Sequence, residues 1–60
     1  MWYAIPVYLP DGETDTVYIS EEFYTEEKLY IGTNLEKYIH EFYGLVNVGY
    51  PRLVEEREIV

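Results

Sequence analysis

Tyr3-Ala4-Ile5-Pro6-Val7-Tyr8-Leu9-Pro10-Asp11-Gly12-Glu13-Thr14-Asp15-Thr16-Val17-Tyr18-Ile19 alternates on both sides of a turn, and that alternation decides the fold. Before the turn, Tyr3, Ile5, Val7 and Leu9 share one face and Trp2, Ala4, Pro6 and Tyr8 the other, the period of two that marks a strand. In the turn, Pro10 pre-sets φ and Gly12 takes the left-handed position. A three-residue loop, Pro10–Gly12 with a bulge at Gly12, sets Leu9 opposite Glu13, Ile5 opposite Val17 and Tyr3 opposite Ile19. The apolar faces agree, which predicts a hairpin of about residues 2–9 and 13–19. Pro6 cannot donate a ladder hydrogen bond, so its strand is expected to lie at a sheet edge or to carry a bulge.

Downstream, Ser20 is placed to cap a helical turn near residues 20–25, and the alternation of Leu29 and Ile31 with Lys28 and Tyr30 predicts a short strand near 28–31. Thr33 and Glu36 have capping-box spacing. Leu35, Tyr38, Ile39 and Phe42 then fall at i, i+3, i+4 and i+7, an apolar stripe, and Gly44 is a natural stop. These predict a helix over 34–43 packed on the sheet. Leu45–Val48 reads as a strand, Gly49-Tyr50-Pro51 as a turn, and Leu53–Val60 as a last strand. The fold class is α+β: a small, mostly antiparallel sheet with one α-helix packed on a face, in the order β-β-(β)-α-β-β.

Sixty residues make a single acidic domain, residues 1–60, too small to bury more than about 60% of the surface its unfolded form exposes. There is no cysteine to staple it, and the supplement is aromatic: Trp2, Phe23, Phe42 and eight tyrosines. Apolar runs are too short for a transmembrane helix, and no basic segment followed by an apolar stretch marks a signal peptide. A cytoplasmic location is the default expectation. Twelve acidic residues against four basic ones give a net charge of −8. That balance argues against direct contact with nucleic acid or anionic membrane, which require a positive surface, and favours a basic protein partner.

Candidate chemistry is sparse. His40 lies one helical turn after Glu36, an exposed pair of little energetic weight. Ser20 is the sole serine and has no nucleophile setting. Asp11, Glu13, Asp15 and Glu22 echo a calcium loop, but such a loop needs Gly at its sixth position, where Thr16 stands, and Val17–Ile19 read as strand. We expect no catalytic residue, no metal and no cofactor.

The acid itself is patterned, in clusters Asp11/Glu13/Asp15, Glu21/Glu22, Glu26/Glu27 and Glu55/Glu56/Glu58. Alternate residues of a strand project from one face about 6.7 Å apart, so Asp11, Glu13 and Asp15, and likewise Glu56 and Glu58, are expected to form rows of charge of the sign that duplex DNA presents. Trp2, Tyr8 and Tyr18 fall on the hairpin face away from the core. There they serve a second covered face or act as binding anchors, with Arg and Lys as fitting partners. Tyr3 and Tyr38 fall on core faces.

In size, acidity and tyrosine content, the chain resembles the small inhibitors that phages and other mobile elements encode against host defences, anti-CRISPR proteins and other DNA mimics among them. Segments such as Asp11-Gly12-Glu13-Thr14-Asp15 and Glu21-Glu22-Phe23-Tyr24-Thr25-Glu26-Glu27 carry the likeness, which is compositional, spans the whole chain and is tied to no common fold. It implies a basic, nucleic-acid-handling host protein as target and blocked DNA or RNA access as mechanism. Two other functions fit the composition: a small homo-oligomeric module, a homodimer included, and an antitoxin-like neutraliser of a basic toxin or nuclease.

Overall fold

The computed structural model describes residues 1–58; the side chain of Glu58 and residues 59–60 lie outside what is described. Strands β1 (Trp2–Tyr8) and β2 (Thr14–Ser20) form the expected hairpin, with Ile5 opposite Val17 and Tyr3 opposite Ile19. Its loop closes as the turn chemistry requires. Leu9 N–H donates to Glu13 O at 2.8 Å, Gly12 N–H donates to Leu9 O at 3.0 Å, and Gly12 takes φ +91°. Asp11 Oδ1 accepts the Glu13 N–H at 3.0 Å, which locks the turn from its side chain.

Pro6 does not lie at an edge. β1 is the central strand, flanked by β2 on one side and by β3 (Asn47–Val48) and β4 (Arg52–Val54) on the other, all antiparallel. β3 and β4 are one strand interrupted by a bulge. Val48 pairs with Val7 and Arg52 with Ala4, so Gly49, Tyr50 and Pro51 stand against only Ile5 and Pro6. Gly49 N–H reaches Pro6 O at 2.7 Å. The carbonyl of Pro6, and with it the side on which proline lacks a donor, therefore faces the stretch where the neighbour bows away. A proline sits in mid-sheet because the strand beside it bulges. The expected turn at Gly49-Tyr50-Pro51 is this bulge, and the expected strand at Leu45–Val48 contracts to two residues, with Leu45 85% exposed. The last strand stops at Val54, and Glu56–Glu58 form a 3-10 turn.

α1 (Glu21–Glu26) begins where Ser20 Oγ accepts the Phe23 N–H at 3.3 Å. The strand expected near 28–31 is absent, because α1 ends in a Schellman motif: Leu29 N–H donates to Tyr24 O at 2.9 Å and Lys28 N–H to Thr25 O at 3.2 Å. The apolar contact that accompanies this motif is Leu29 with Tyr24, both buried. Alternation at Leu29 and Ile31 is thus a by-product of the turn. Lys28 occupies the left-handed position at φ +54°, where glycine is the usual residue. Lys28→Gly should therefore stabilise the fold by about 0.5–1 kcal/mol, relief of strain outweighing the added chain entropy. Thermal denaturation checks this, and a variant no more stable than wild type would contradict the strain at Lys28.

α2 (Gly32–Tyr43) starts earlier than the capping box places it. Ile31 holds the cap position without a side-chain bond, and its carbonyl accepts the N–H groups of Asn34 and Leu35 at 3.0 and 3.1 Å. Asn34 Nδ2 ties back to Lys28 O at 3.1 Å, so the preceding turn, not Thr33 and Glu36, sets the entry. Gly44, at φ +78°, ends the helix as expected.

One core joins the layers: Ile5 and Val7 of β1, Ile19 of β2, Tyr24 of α1, Leu29, and Leu35 and Ile39 of α2. Tyr3 packs against it and stacks on Tyr24 with ring centroids 3.8 Å apart. Tyr38 is half-buried at its margin. The apolar stripe does not extend to Phe42, which is 70% exposed. The last turn of α2 overhangs the edge strand, since Tyr43 reaches Asp15 of β2 and Phe42 lines an open groove with Val17. Phe42 instead meets Tyr38 in a tilted ring contact, centroids 5.1 Å apart, and Tyr38 meets Phe23 likewise at 5.5 Å.

Candidate binding surface

The face of the sheet away from the helices can be written row by row from the pairings. Ser20, Trp2 and Val54 form one row; Tyr18, Ala4 and Arg52 the next; Thr16 and Pro6 follow; Thr14, Tyr8 and Asn47 close it. Val54 and Ala4 are buried and Trp2 is half-buried, so Trp2 belongs in part to the packing of this face. Tyr8 and Tyr18 are 46% and 43% exposed, which leaves two tyrosine rings free on the same surface. Arg52 is exposed among them.

The acid divides between the two ends of the sheet. Asp11, Glu13 and Asp15 gather at the hairpin end. Glu21 and Glu22 follow Ser20, Glu55 and Glu56 follow Val54, and both Ser20 and Val54 pair with Trp2, so these two acidic pairs lie at the opposite end of the sheet, one on each side of β1. Seven strand residues separate the ends, about 20 Å at strand rise. The regular row expected along Asp11, Glu13 and Asp15 is only partly kept. Asp11 turns back onto the Glu13 N–H, and Asp15 Oδ1 accepts the Thr16 N–H at 2.8 Å. At the far end Glu55 Oε2 meets Arg57 Nε at 2.7 Å, which tempers that cluster, and Glu58 contributes no described side chain. Glu26 and Glu27 stand apart, at the C-terminal end of α1.

Tyr43 O–H donates to Asp15 Oδ2 at 3.0 Å. This bond first, then burial and the negative charge of Asp15, raise the Tyr43 phenol above its ordinary value. Burial, followed by neighbouring Tyr3, raises Tyr24. Both groups are neutral phenols in the fold and ionise more readily when unfolded. Their contribution is therefore complete below the unfolded value of about 10 and lost as pH rises through the higher folded values. Melting temperature should fall from about pH 10 upward, and Tyr43→Phe should flatten part of that fall. A melting temperature unchanged through this window would contradict both placements.

His40 is not oriented by Glu36; its Nε2 donates to Val46 O at 3.0 Å and ties the end of α2 to the strand that follows. Among the described residues no three His, Cys, Asp or Glu side chains converge as a metal-holding group, and no helix is long and apolar enough to cross a membrane. Sequence reasoning passed over the tilted ring cluster in which exposed Phe23 and Phe42 flank half-buried Tyr38, and the almost fully exposed Tyr50. The signal for Tyr50 was its place between Gly49 and Pro51. Phe42 gave no such sign, since its spacing is that of a core residue. No family model matches the chain, and neither a curated protein nor a solved structure matches it.

Proposed function

We propose that this is a non-catalytic binding protein that offers an acidic, tyrosine-bearing surface to a basic, nucleic-acid-handling protein and blocks its access to DNA or RNA, as an anti-defence inhibitor does. One observation carries the proposal: acid is concentrated at both ends of a sheet whose outer face leaves Tyr8 and Tyr18 exposed between them. Anionic ends some 20 Å apart suit a groove built for a polyanion, and exposed tyrosines supply the flat, rigid contact area typical of interface anchors. Glu26 and Glu27 add to this. They lie at a helix C-terminus, where the backbone dipole disfavours negative charge, and locally unfavourable placement is a mark of functional surface. The test is capture of partners from a host lysate at low and high salt, followed by nucleic-acid binding of the captured protein with and without this chain. A basic partner that loses its DNA or RNA on complex formation is expected. A partner that binds nucleic acid undisturbed in the complex would overturn the proposal.

A further inference from the structure

The sheet has one long open edge. Among the described residues β2 pairs with β1 alone, whereas the opposite edge is broken by the bulge into strands of two and three residues. Leu9 N–H to Glu13 O and Glu21 N–H to Met1 O, at 2.8 and 3.1 Å, show that the odd-numbered residues of the second strand bond to β1. Thr14, Thr16, Tyr18 and Ser20 therefore turn their backbone groups outward. Thr16 N–H is occupied by Asp15 Oδ1, a side chain that another strand can displace. An edge of seven residues left open in this way is a template for strand addition.

We infer that this edge docks an extended basic segment of the partner, added as a further strand; the inference rests on the proposal of a basic partner made above. Charge decides the occupant. Asp11, Glu13 and Asp15 flank one end of the edge, and Glu21 and Glu22 the other. A second copy fits poorly: antiparallel self-pairing brings the Asp11/Glu13/Asp15 end of each copy to the Glu21/Glu22 end of the other, and juxtaposed like charges are costly at an interface. An incoming strand with Lys or Arg converts the same acids into partners. On the helix side, the face that Val17 shares with Glu13 and Asp15, the edge is overhung by a groove between Val17 and the rings of Tyr38, Phe42 and Tyr43, which accepts an apolar side chain from the middle of that strand while Lys or Arg toward its ends meet the acids.

The test uses two octapeptides, Lys-Lys-Thr-Val-Thr-Val-Lys-Lys (the Lys–Val peptide) and Glu-Glu-Thr-Val-Thr-Val-Glu-Glu (the Glu–Val peptide), titrated into isotopically labelled protein and followed by NMR amide exchange. At a peptide concentration nine times its Kd, the Lys–Val peptide should slow exchange at Thr14, Thr16 and Tyr18 about tenfold, by mass action. The Glu–Val peptide should not. Thr16→Pro removes an outward N–H without touching the β1 ladder and should abolish the protection. Should that variant fail to fold, the comparison of the two peptides on wild type decides alone. Equal protection by both peptides, or none by either, overturns the inference. So does binding of the Lys–Val peptide at the acidic ends with Thr16 and Tyr18 unprotected, an outcome that leaves the basic-partner proposal standing.

Discussion

Ile39→Asp should leave the chain unfolded at room temperature, while Phe42→Asp, three residues along the same apparent stripe, should melt close to wild type. Ile39 is 1% exposed at the centre of the core. Truncating such a side chain alone costs about 2–5 kcal/mol, and an unpaired carboxylate there adds several more. A domain of this length has about 3–9 kcal/mol in total at the usual 0.05–0.15 kcal/mol per residue. Ile39→Asp therefore exceeds or exhausts the stability of the fold. Phe42, 70% exposed, loses a tilted ring contact with Tyr38 and the wall of an open groove, both at the surface. Far-UV circular dichroism with heating separates the two. A cooperative wild-type-like melt for Ile39→Asp would show that α2 does not pack as described, as would unfolding by Phe42→Asp.

Gly49→Ala should destabilise the fold by about 1–3 kcal/mol, the range for forcing extra volume into a packed site. A Cβ at Gly49 would stand 2.5 Å from Pro6 Cγ, with Pro6 O and Tyr8 Cε2 both at 3.3 Å. The pyrrolidine ring cannot swing aside, and the Pro6 carbonyl is held by the Gly49 N–H itself. The bulge that excuses a central proline thus requires glycine. Two companions make the measurement specific. Gly32→Ala meets nothing within 4 Å and should be close to neutral. Pro6→Ala should relieve much of the clash, so the double variant should be more stable than the sum of the single effects predicts. Urea denaturation of the four proteins gives the cycle. An additive cycle, or a silent Gly49→Ala, would remove the physical account of Pro6.

These two sites mark where sequence ceased to be a guide. The hairpin was legible because local information suffices for it: alternation on both sides and a loop whose proline and glycine have set conformations. Pro6 pointed to an edge or to a bulge in its own strand because the remedy, a bulge in the neighbouring strand at Gly49-Tyr50-Pro51, lies more than forty residues away. Leu29 and Ile31 mimicked a strand because the left-handed residue of the Schellman motif is Lys28, where a glycine would have announced the turn. Phe42 mimicked core because periodicity reports which side of a helix a residue is on and not how closely the neighbouring elements cover it. For the candidate surface, each acidic residue could be named from sequence. That Glu21/Glu22 and Glu55/Glu56 share one end of the sheet could not, since it depends on Ser20 and Val54 flanking Trp2.

The most direct test of the central claim is a binding titration, at several salt concentrations, between the captured basic partner and three forms of this chain: wild type, a triple reversal of Asp11, Glu13 and Asp15 to Lys, and Tyr18→Ala. Tyr18→Ala should lose 2 kcal/mol or more, about a thirtyfold rise in Kd, chiefly through faster dissociation, as an anchor does. The triple reversal should weaken binding at least as much and invert its response to salt, because three positive charges then face a positive groove. Wild-type affinity should fall with salt less steeply than that of the DNA it displaces, since a protein surface lacks the condensed counterions of the duplex. A triple reversal that binds as tightly as wild type, with the same salt slope, would contradict the account.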